Sequence, residues 1–119
     1  MAIAGIGIDI VDLARFERAV SRTPALRERL FALSERDLPL RSLAGRFAAK
    51  EALMKALGDA TGVTWHDMEV VSDVEGNPSI LLSGAAEAIA ARRGITGIHL
   101  SMSHDAGVAI AQVIVERLP

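Results

Sequence analysis

Residues 43–58 read LAGRFAAKEALMKALG, and this stretch decides the fold that the sequence predicts. A run of good helix formers extends from Leu43 to Leu57 and is followed by Gly58, the residue type that most often closes a helix in the left-handed conformation. At ~100° per residue, the small side chains of this helix fall on one continuous face, made of Gly45, Ala48, Ala49, Ala52 and Ala56. Because small side chains let another backbone approach closely, we expect this helix to lie at the centre of the molecule.

Upstream of this helix, the alternation of residue types predicts a strand from Ile3 to Ile10. Its two faces differ sharply, with Ile6, Ile8 and Ile10 on one and Gly5, Gly7 and Asp9 on the other. The glycine face carries no side chains until Asp9. It is therefore a surface onto which another element can pack closely.

The other elements follow from periodicity and from turn residues. Helices are predicted from Leu13 to about Val20, Pro24 to Phe31 and Ala85 to Arg93, and strands from Met68 to Val74, Ser79 to Leu82, Ile98 to His104 and Val108 to Glu116. Asp12, Thr23 and Ser83 are the expected helix caps, and Ser34 with Asp37 resembles a capping box. Strands and helices do not alternate regularly, so the sequence predicts an α+β fold with an antiparallel sheet around a long central helix.

Composition limits the class of protein. The chain has 119 residues, of which 50% are hydrophobic and 24% charged, which predicts one folded domain over residues 1–119 and excludes a disordered or collagen-like chain. So high an apolar content also favours self-association. The absence of cysteine excludes disulfides, zinc-thiolate sites and thiol catalysis. Residues 1–11 are apolar but lack a basic start and contain Asp9, so we expect neither a signal peptide nor a membrane span, and a cytoplasmic protein.

Charge is distributed unevenly along the chain. Residues 13–50 carry nine basic and four acidic side chains, a net charge of +5, whereas the remaining residues carry four basic and eleven acidic ones, a net charge of −7. Such clustering predicts an acidic partner or a phosphate ligand. A nucleic acid is not the expected partner, because eleven of the thirteen basic residues are Arg and the few aromatic residues form no stacking series.

Four constellations could carry chemistry, and each also has a structural interpretation. Asp9 could bind a ligand beside the glycines or form a turn at the strand end. Glu51 and Lys55 are four residues apart and could form a surface salt bridge, but Lys50 and Arg46 make this a carboxylate among three cations, which suits a metal-bridged polyphosphate. His104 could donate to phosphate or cap a hairpin. The fourth, residues 76–78, contains Gly76 and Pro78 and is by itself only a turn.

Three segments resemble a known family. They are GIGIDIVDLARF at residues 5–16, RFAAKEALMKALG at 46–58 and SMSHDAG at 101–107, and they resemble, in order and spacing, the signature segments of holo-acyl-carrier-protein synthase, the small class of 4'-phosphopantetheinyl transferases. The resemblance spans the whole chain. It implies transfer of 4'-phosphopantetheine from coenzyme A to a serine of an apo acyl carrier protein, with release of adenosine 3',5'-bisphosphate. It also implies the fold of these transferases.

The resemblance assigns roles to individual residues. It implies that Asp9 and Glu51 bind Mg2+ and that Asp9, Glu51 and Lys55 form the catalytic set. It implies that coenzyme A is bound by Arg46, Lys50, Lys55, Gly76, Pro78 and His104. It implies that the carrier protein is bound by Arg15, with Arg18, Arg22 and Arg27 as further candidates. Members of the larger class have a further acid where this chain has Val11, so a water would complete the metal shell.

Some alternatives stay open at this point. The proton of the carrier serine could pass to Glu51 or to a magnesium-bound water. The resemblance implies a homotrimer with active sites between subunits, which agrees with the apolar composition. The competing functions are a non-catalytic coenzyme A or nucleotide-binding regulatory module and a trimeric structural protein.

Overall fold

The computed structural model describes residues 1–118. The strands are β1 (Ala2–Asp12), β2 (Met68–Ser72), β3 (Pro78–Leu82), β4 (Ile95–Asp105) and β5 (Val108–Arg117), and the helices are α1 (Leu13–Arg22), α2 (Leu26–Leu30), α3 (Leu40–Leu57) and α4 (Gly84–Arg92). A 3₁₀ turn over Trp65–Asp67 precedes β2. No helix within the described residues is long and apolar enough to cross a membrane.

Two antiparallel sheets surround α3. The larger sheet has the strand order β1-β5-β4, and β2 and β3 form a separate hairpin. Helix α3 contacts β1, β5 and β4 on one side and β2 on another. This confirms the predicted α+β fold with an antiparallel sheet around a long central helix.

The glycine face of β1 lies directly against the small-residue face of α3. A Cβ atom added at Gly7 would lie 1.9 Å from the carbonyl oxygen of Ala52, and one added at Gly5 would lie 2.0 Å from that of Ala56. No side chain fits in either place, since real Cβ contacts do not fall below 3.0 Å. The close approach predicted from the small residues of α3 is therefore present, and its partner is β1. Asp9 continues the same face beyond the covered glycines.

The opposite face of β1 is free of any covering element in the described chain. Ile6, Ile8 and Ile10 keep 60%, 59% and 62% of their surface exposed. Their neighbours across the sheet include Ile114 and Ile110 of β5, which are in register with Ile6 and Ile10. The larger sheet therefore presents an outward apolar surface, called here the isoleucine face, which consists of Ile6, Ile8, Ile10, Ile110 and Ile114.

Several of the predicted caps are confirmed. Asp12 caps α1, with its side chain accepting a hydrogen bond from the Ala14 N–H at 3.2 Å. Gly58 closes α3 with φ of 75° and donates its N–H to the Met54 carbonyl. Ser83 stands at the start of α4 but makes no side-chain capping bond, because Asp67 takes that role and accepts from the Ala86 N–H at 3.4 Å.

Other predicted boundaries are wrong. Helix α2 is limited to Leu26–Leu30 and Thr23 does not cap it, since its N-cap is Ala25. No helix starts at the Ser34 and Asp37 pair; the chain turns there and buries Glu35 instead.

The structure also changes the lengths of two predicted elements. Helix α3 begins three residues before Leu43, after Pro39 at its N-cap. Strand β4 begins at Ile95 rather than Ile98, because the sheet accommodates a register shift between Ile95 and Gly97.

Candidate active site

A cavity of about 680 Å³ opens between the end of β1, helices α1 and α2, and the middle of α3. Its ionisable lining residues are Asp9, Asp12, Glu51, Arg15, Arg29 and Lys55. The rest of the wall is largely apolar and includes Phe16, Phe47 and Trp65, whose rings pack in a tilted series at centroid distances of 5.8 Å and 5.3 Å. The cavity therefore combines an apolar wall with a few converging charges, which is typical of a ligand-binding site.

Asp9 and Lys55 meet at the mouth of the cavity. Lys55 Nζ donates to Asp9 Oδ1 at 3.2 Å and to the Ile8 carbonyl at 2.9 Å. The Asp9 side chain reaches this point because the residue lies on the face of β1 that α3 covers. The Lys55 side chain is 54% exposed, so its ammonium can exchange these partners for a ligand phosphate.

Glu51 lies on α3 one turn before Lys55 and lines the same cavity. Partial burial raises the pKa of Glu51, the negative charge of Asp9 raises it further, and Lys55 opposes both effects. Since the charge of Asp9 acts on Glu51, the two carboxylates share one electrostatic environment. A cation bound between them would relieve this repulsion.

The donor set fits magnesium. Mg2+ prefers hard oxygen ligands and is usually held by one or two carboxylates, with water and substrate phosphates completing its shell. Asp9 and Glu51 supply two such carboxylates in one cavity. Within residues 1–118, no group of three or more His, Asp or Glu side chains is arranged to bind a metal. A metal held by Asp9 and Glu51 would therefore take its other ligands from the substrate and solvent.

Lys50 lies apart from the cavity, although it is next to Glu51 in sequence. Its side chain is completely buried, and Nζ donates to the Leu30 carbonyl at 2.7 Å and to Glu35 Oε1 at 2.8 Å. Burial lowers the pKa of Lys50, and the bond to Glu35 opposes this effect. The predicted contact of Lys50 with coenzyme A phosphates is therefore not supported, because its ammonium is engaged inside the protein.

The other predicted coenzyme A residues also lie outside the lining of this cavity. Arg46 is directed toward β2, with Nε donating to the Val70 carbonyl at 3.4 Å and lying 3.6 Å from Glu35. His104 donates from Nε2 to the Arg41 carbonyl at 3.2 Å. Gly76 lies in the turn between β2 and β3, and Pro78 is the first residue of β3. Within one chain, the structure thus unites Asp9, Glu51, Lys55 and Arg15 but not these four residues.

Three of the four predicted carrier-binding arginines, Arg15, Arg18 and Arg22, lie along α1, whereas Arg27 lies on α2 and donates to the Arg36 carbonyl at 2.9 Å. Arg15 lines the cavity itself, whereas Arg18 and Arg22 line a shallow neighbouring pocket of about 400 Å³ together with Glu17. All three arginines are exposed. A basic surface therefore adjoins the cavity that contains Asp9 and Glu51.

Comparison with known proteins assigns the chain to a family. A family model described as the 4'-phosphopantetheinyl transferase superfamily matches residues 5–111. The chain belongs to this superfamily. It is therefore a transferase, and the enzyme class predicted from the three signature segments is confirmed.

The similarity of this transferase to individual proteins covers nearly the whole chain. A Holo-[acyl-carrier-protein] synthase of Leifsonia xyli subsp. xyli is 64% identical over 115 residues, which cover 97% of this chain and 98% of the relative. The crystal structure of the Helicobacter pylori holo-[acyl-carrier-protein] synthase in complex with coenzyme A aligns with a TM-score of 0.82 and 37% identity, over 93% of this chain and 99% of that one. A Bacillus anthracis synthase in complex with CoA (3',5'-ADP) aligns with a TM-score of 0.79 and 36% identity, over 98% of both chains.

Sequence reasoning missed several residues around the site of this transferase. Arg29 and Trp65 line the cavity, and Glu35 is one of its buried supports. Arg29 was one of many arginines in the basic segment, and nothing in the pattern singled it out. Glu35 stands in a polar run, SERD at residues 34–37, that predicts exposure. Its tertiary contacts with Lys50, Arg46 and the Val70 N–H make it a core residue.

Proposed function

We propose that this transferase moves the 4'-phosphopantetheine arm of coenzyme A to a serine hydroxyl of an apo acyl carrier protein, with magnesium as cofactor and adenosine 3',5'-bisphosphate as the leaving group. The observation that carries the proposal is the meeting of Asp9, Glu51 and Lys55 in one cavity beside a basic helix. The names of the relatives, and the coenzyme A bound in two of the similar structures, support the same substrates.

The chemistry assigns a task to each cavity residue. Asp9 and Glu51 would hold magnesium, which supplies positive charge to neutralise the pyrophosphate of coenzyme A. Lys55 binds and orients a phosphate, because its ammonium is exposed and already beside Asp9. The serine oxygen forms a bond to the β-phosphorus, and the bond from that phosphorus to the bridging oxygen breaks. The leaving group is adenosine 3',5'-bisphosphate.

The serine also loses a proton in this reaction. Glu51 is the acceptor that this chain offers, since its carboxylate lies in the cavity where the serine reacts, and a magnesium-bound water is the alternative acceptor. Arg15 at the cavity wall, with Arg18 and Arg22 further along α1, binds the acidic carrier and brings its serine to Glu51.

We further propose that the working unit is a homotrimer in which a second copy covers the isoleucine face. A pocket of about 350 Å³ is lined by Ile8, Ile10 and Ile110 together with Asp9 and Lys55, so the isoleucine face is continuous with the proposed site. A copy seated on these isoleucines would reach Asp9 and Lys55. That copy's Arg46, His104, Gly76 and Pro78 are then the candidates for binding the nucleotide part of coenzyme A.

Two further expectations remain proposals. Residues 1–119 act as one transferase domain, which is supported by the contacts of α3 with both sheets. The cytoplasmic location stays a prediction from the sequence.

Mass spectrometry of the carrier tests the proposed function directly. The protein is mixed with coenzyme A, magnesium and several apo carrier proteins from fatty-acid, polyketide and peptide synthesis. The expected result is a gain of one phosphopantetheine arm on at least one carrier. Binding of coenzyme A without modification of any carrier would contradict the proposal and favour a regulatory binding module.

A further inference from the structure

We propose that Lys50 and Glu35 form an internal joint that positions the wall of the cavity opposite Asp9, and that through this wall they set the affinity for the carrier protein. Lys50 is on this account a positioning residue and not a ligand of coenzyme A. The inference rests on the proposed function for its kinetic part only. Its structural part can be tested on the protein alone.

The first observation is that the ammonium of Lys50 has three protein partners. In addition to its hydrogen bonds with the Leu30 carbonyl and Glu35, Nζ lies 3.5 Å from the Trp65 carbonyl. It also lies 5.1 Å from the centroid of the Phe31 ring. A buried ammonium is tolerated only when its donors are engaged and its charge is paired. All three donors of Lys50 therefore have acceptors within the protein, and one acceptor carries the compensating charge.

The second observation is that Glu35 is equally engaged. Its Oε1 also accepts from the Ala32 N–H at 2.9 Å, and its Oε2 accepts from the Val70 N–H at 3.2 Å. Arg46 adds a second cation at 3.6 Å. Within the described residues, no buried side-chain polar atom lacks a hydrogen-bond partner, so this network is complete. It connects α3, the turn after α2, and β2 at one point.

The third observation is where these connections lead. Leu30 and Trp65, whose carbonyls the ammonium of Lys50 faces, both line the cavity that holds Asp9 and Glu51. The segments that carry them also touch each other, since His66 next to Trp65 bonds to the Glu28 carbonyl of α2. Lys50 directly precedes Glu51 on α3. Its hydrogen bonds therefore set the distance between this part of α3 and the opposite wall of the cavity.

The α2 part of that wall belongs to residues 13–50, the segment of the chain with a net positive charge. It carries Arg29, which lines the cavity, and it continues from α1 with Arg15, Arg18 and Arg22. If the joint loosens, α2 and the 3₁₀ turn shift relative to Glu51, while Asp9 and Lys55 stay bonded to each other on the other side. The carrier surface should therefore be perturbed and the coenzyme A contacts of Lys55 should be retained.

The test uses the double variant Lys50→Met/Glu35→Gln. Removing one charge would leave the other buried and unpaired, whereas removing both avoids this penalty. The amide of the new glutamine can still accept from Val70. Glu35→Asp, which keeps both charges but shortens the side chain that reaches Lys50 and Val70, serves as a milder second variant if the double variant fails to fold.

The matched control is Arg93→Met. The Arg93 guanidinium donates hydrogen bonds to the carbonyls of Ala56 and Leu57 at the C-terminal end of α3 and to that of Ala4 in β1. Its loss should therefore destabilise the protein without changing the contacts of Lys50 and Glu35. A general loss of stability would affect the control and the joint variants alike.

The kinetic readout is the KM for each substrate, measured on the folded fraction. We expect the double variant to raise the KM for the carrier about tenfold and to leave the KM for coenzyme A within about twofold, because only the carrier wall moves. We expect Glu35→Asp to change the same parameter in the same direction by a smaller factor. A direct phosphate contact of Lys50 predicts the reverse pattern, and observing that pattern would overturn the proposal.

The second readout is the fluorescence of Trp65, which is the single tryptophan of the chain. Since its carbonyl faces Lys50, the joint variants should show a red-shifted emission and stronger acrylamide quenching than both the wild type and Arg93→Met. Emission and quenching equal to those of the control would overturn the proposal. If the wild type modifies no carrier, the proposed function fails, but the Trp65 readout still decides whether the joint positions the wall.

Discussion

The two lysines that flank Glu51 have opposite environments. Lys50 is completely buried and bonded to Glu35, whereas the Lys55 side chain is 54% exposed and bonded to Asp9. Helical geometry explains the difference, because five residues on a helix separate two side chains by ~140° around the axis. Lys55, ~40° from Glu51, shares the cavity with that carboxylate. Only Lys55 is therefore available to a phosphate group.

Removal of the Lys55 charge should weaken coenzyme A use specifically. We expect Lys55→Met to lower kcat/KM for coenzyme A about 100-fold, since charge-assisted contacts to phosphate are among the stronger polar interactions. Lys55→Arg keeps a positive charge and should recover part of this loss. Steady-state kinetics with circular dichroism as the folding control provide the measurement. Equal kinetics for Lys55→Met and wild type would contradict the role of this residue.

At the scale of elements, the contact between β1 and α3 positions the two carboxylates. Asp9 follows glycines whose face α3 covers, and Glu51 lies on the helix that covers them. The separation of strand and helix is set by the missing side chains of Gly5 and Gly7. Any increase in this separation moves Asp9 away from Glu51.

Enlarging Gly7 should therefore be costly for the whole fold. In Gly7→Ala, the new Cβ would overlap the Ala52 carbonyl, and we expect a loss of about 3 kcal/mol in the free energy of unfolding. Gly97 of β4 is the matched control, because a Cβ there has its nearest neighbour at 3.5 Å, an ordinary contact. Gly97→Ala should change the stability by less than about 1 kcal/mol. Urea unfolding of both variants gives the comparison, and equal losses would refute the close-approach argument.

The sequence predicted the elements whose patterns are local. Periodicity was enough for α3 and β1, and Gly58 marked the end of α3 correctly. The start of α2 was missed, because residues 23–26 form a turn in which the Leu26 N–H donates to the Thr23 carbonyl, and no side chain caps the helix. The burial of Glu35 was missed because it depends on Lys50, fifteen positions away. Tertiary pairing of charges leaves no mark in the periodicity of the sequence.

The candidate site could be predicted only in part for a similar reason. Asp9, Glu51 and Lys55 follow from the signature segments, and the structure brings them to one cavity. The resemblance assigns Lys50 as well as Lys55 to coenzyme A, and only the folded structure places the Lys50 ammonium in the core. Trp65 and Arg29 belong to segments that meet α3 only after folding, so their place in the wall could not be read from the chain.

At the scale of the whole molecule, the isoleucine face is the feature that a monomer does not explain. Exposed apolar surface of this kind usually marks an interface. It is continuous with Asp9 and Lys55 through a shared pocket, so assembly and activity should depend on each other.

A charge on the isoleucine face should disrupt both properties together. We expect Ile8→Glu to convert the proposed trimer to monomers and to reduce carrier modification by about 100-fold or more, because an unpaired carboxylate cannot be buried in an apolar interface. Ile8→Val, which keeps the surface apolar, should preserve both. Light scattering after gel filtration gives the mass, and mass spectrometry gives the activity. A monomeric variant with full activity would show that the site is complete within one chain.

The central claim is that Asp9 and Glu51 hold one metal ion, and a double-mutant cycle tests it most directly. The rate of carrier modification in magnesium is measured for Asp9→Asn, Glu51→Gln and the variant with both substitutions. Groups that act as a unit give non-additive losses of activity. We expect each single variant to lose about 100-fold or more of the rate, and the double variant to be less than about tenfold slower than the less active single variant. Full activity in either single variant, or losses that multiply in the double variant, would contradict the shared ion.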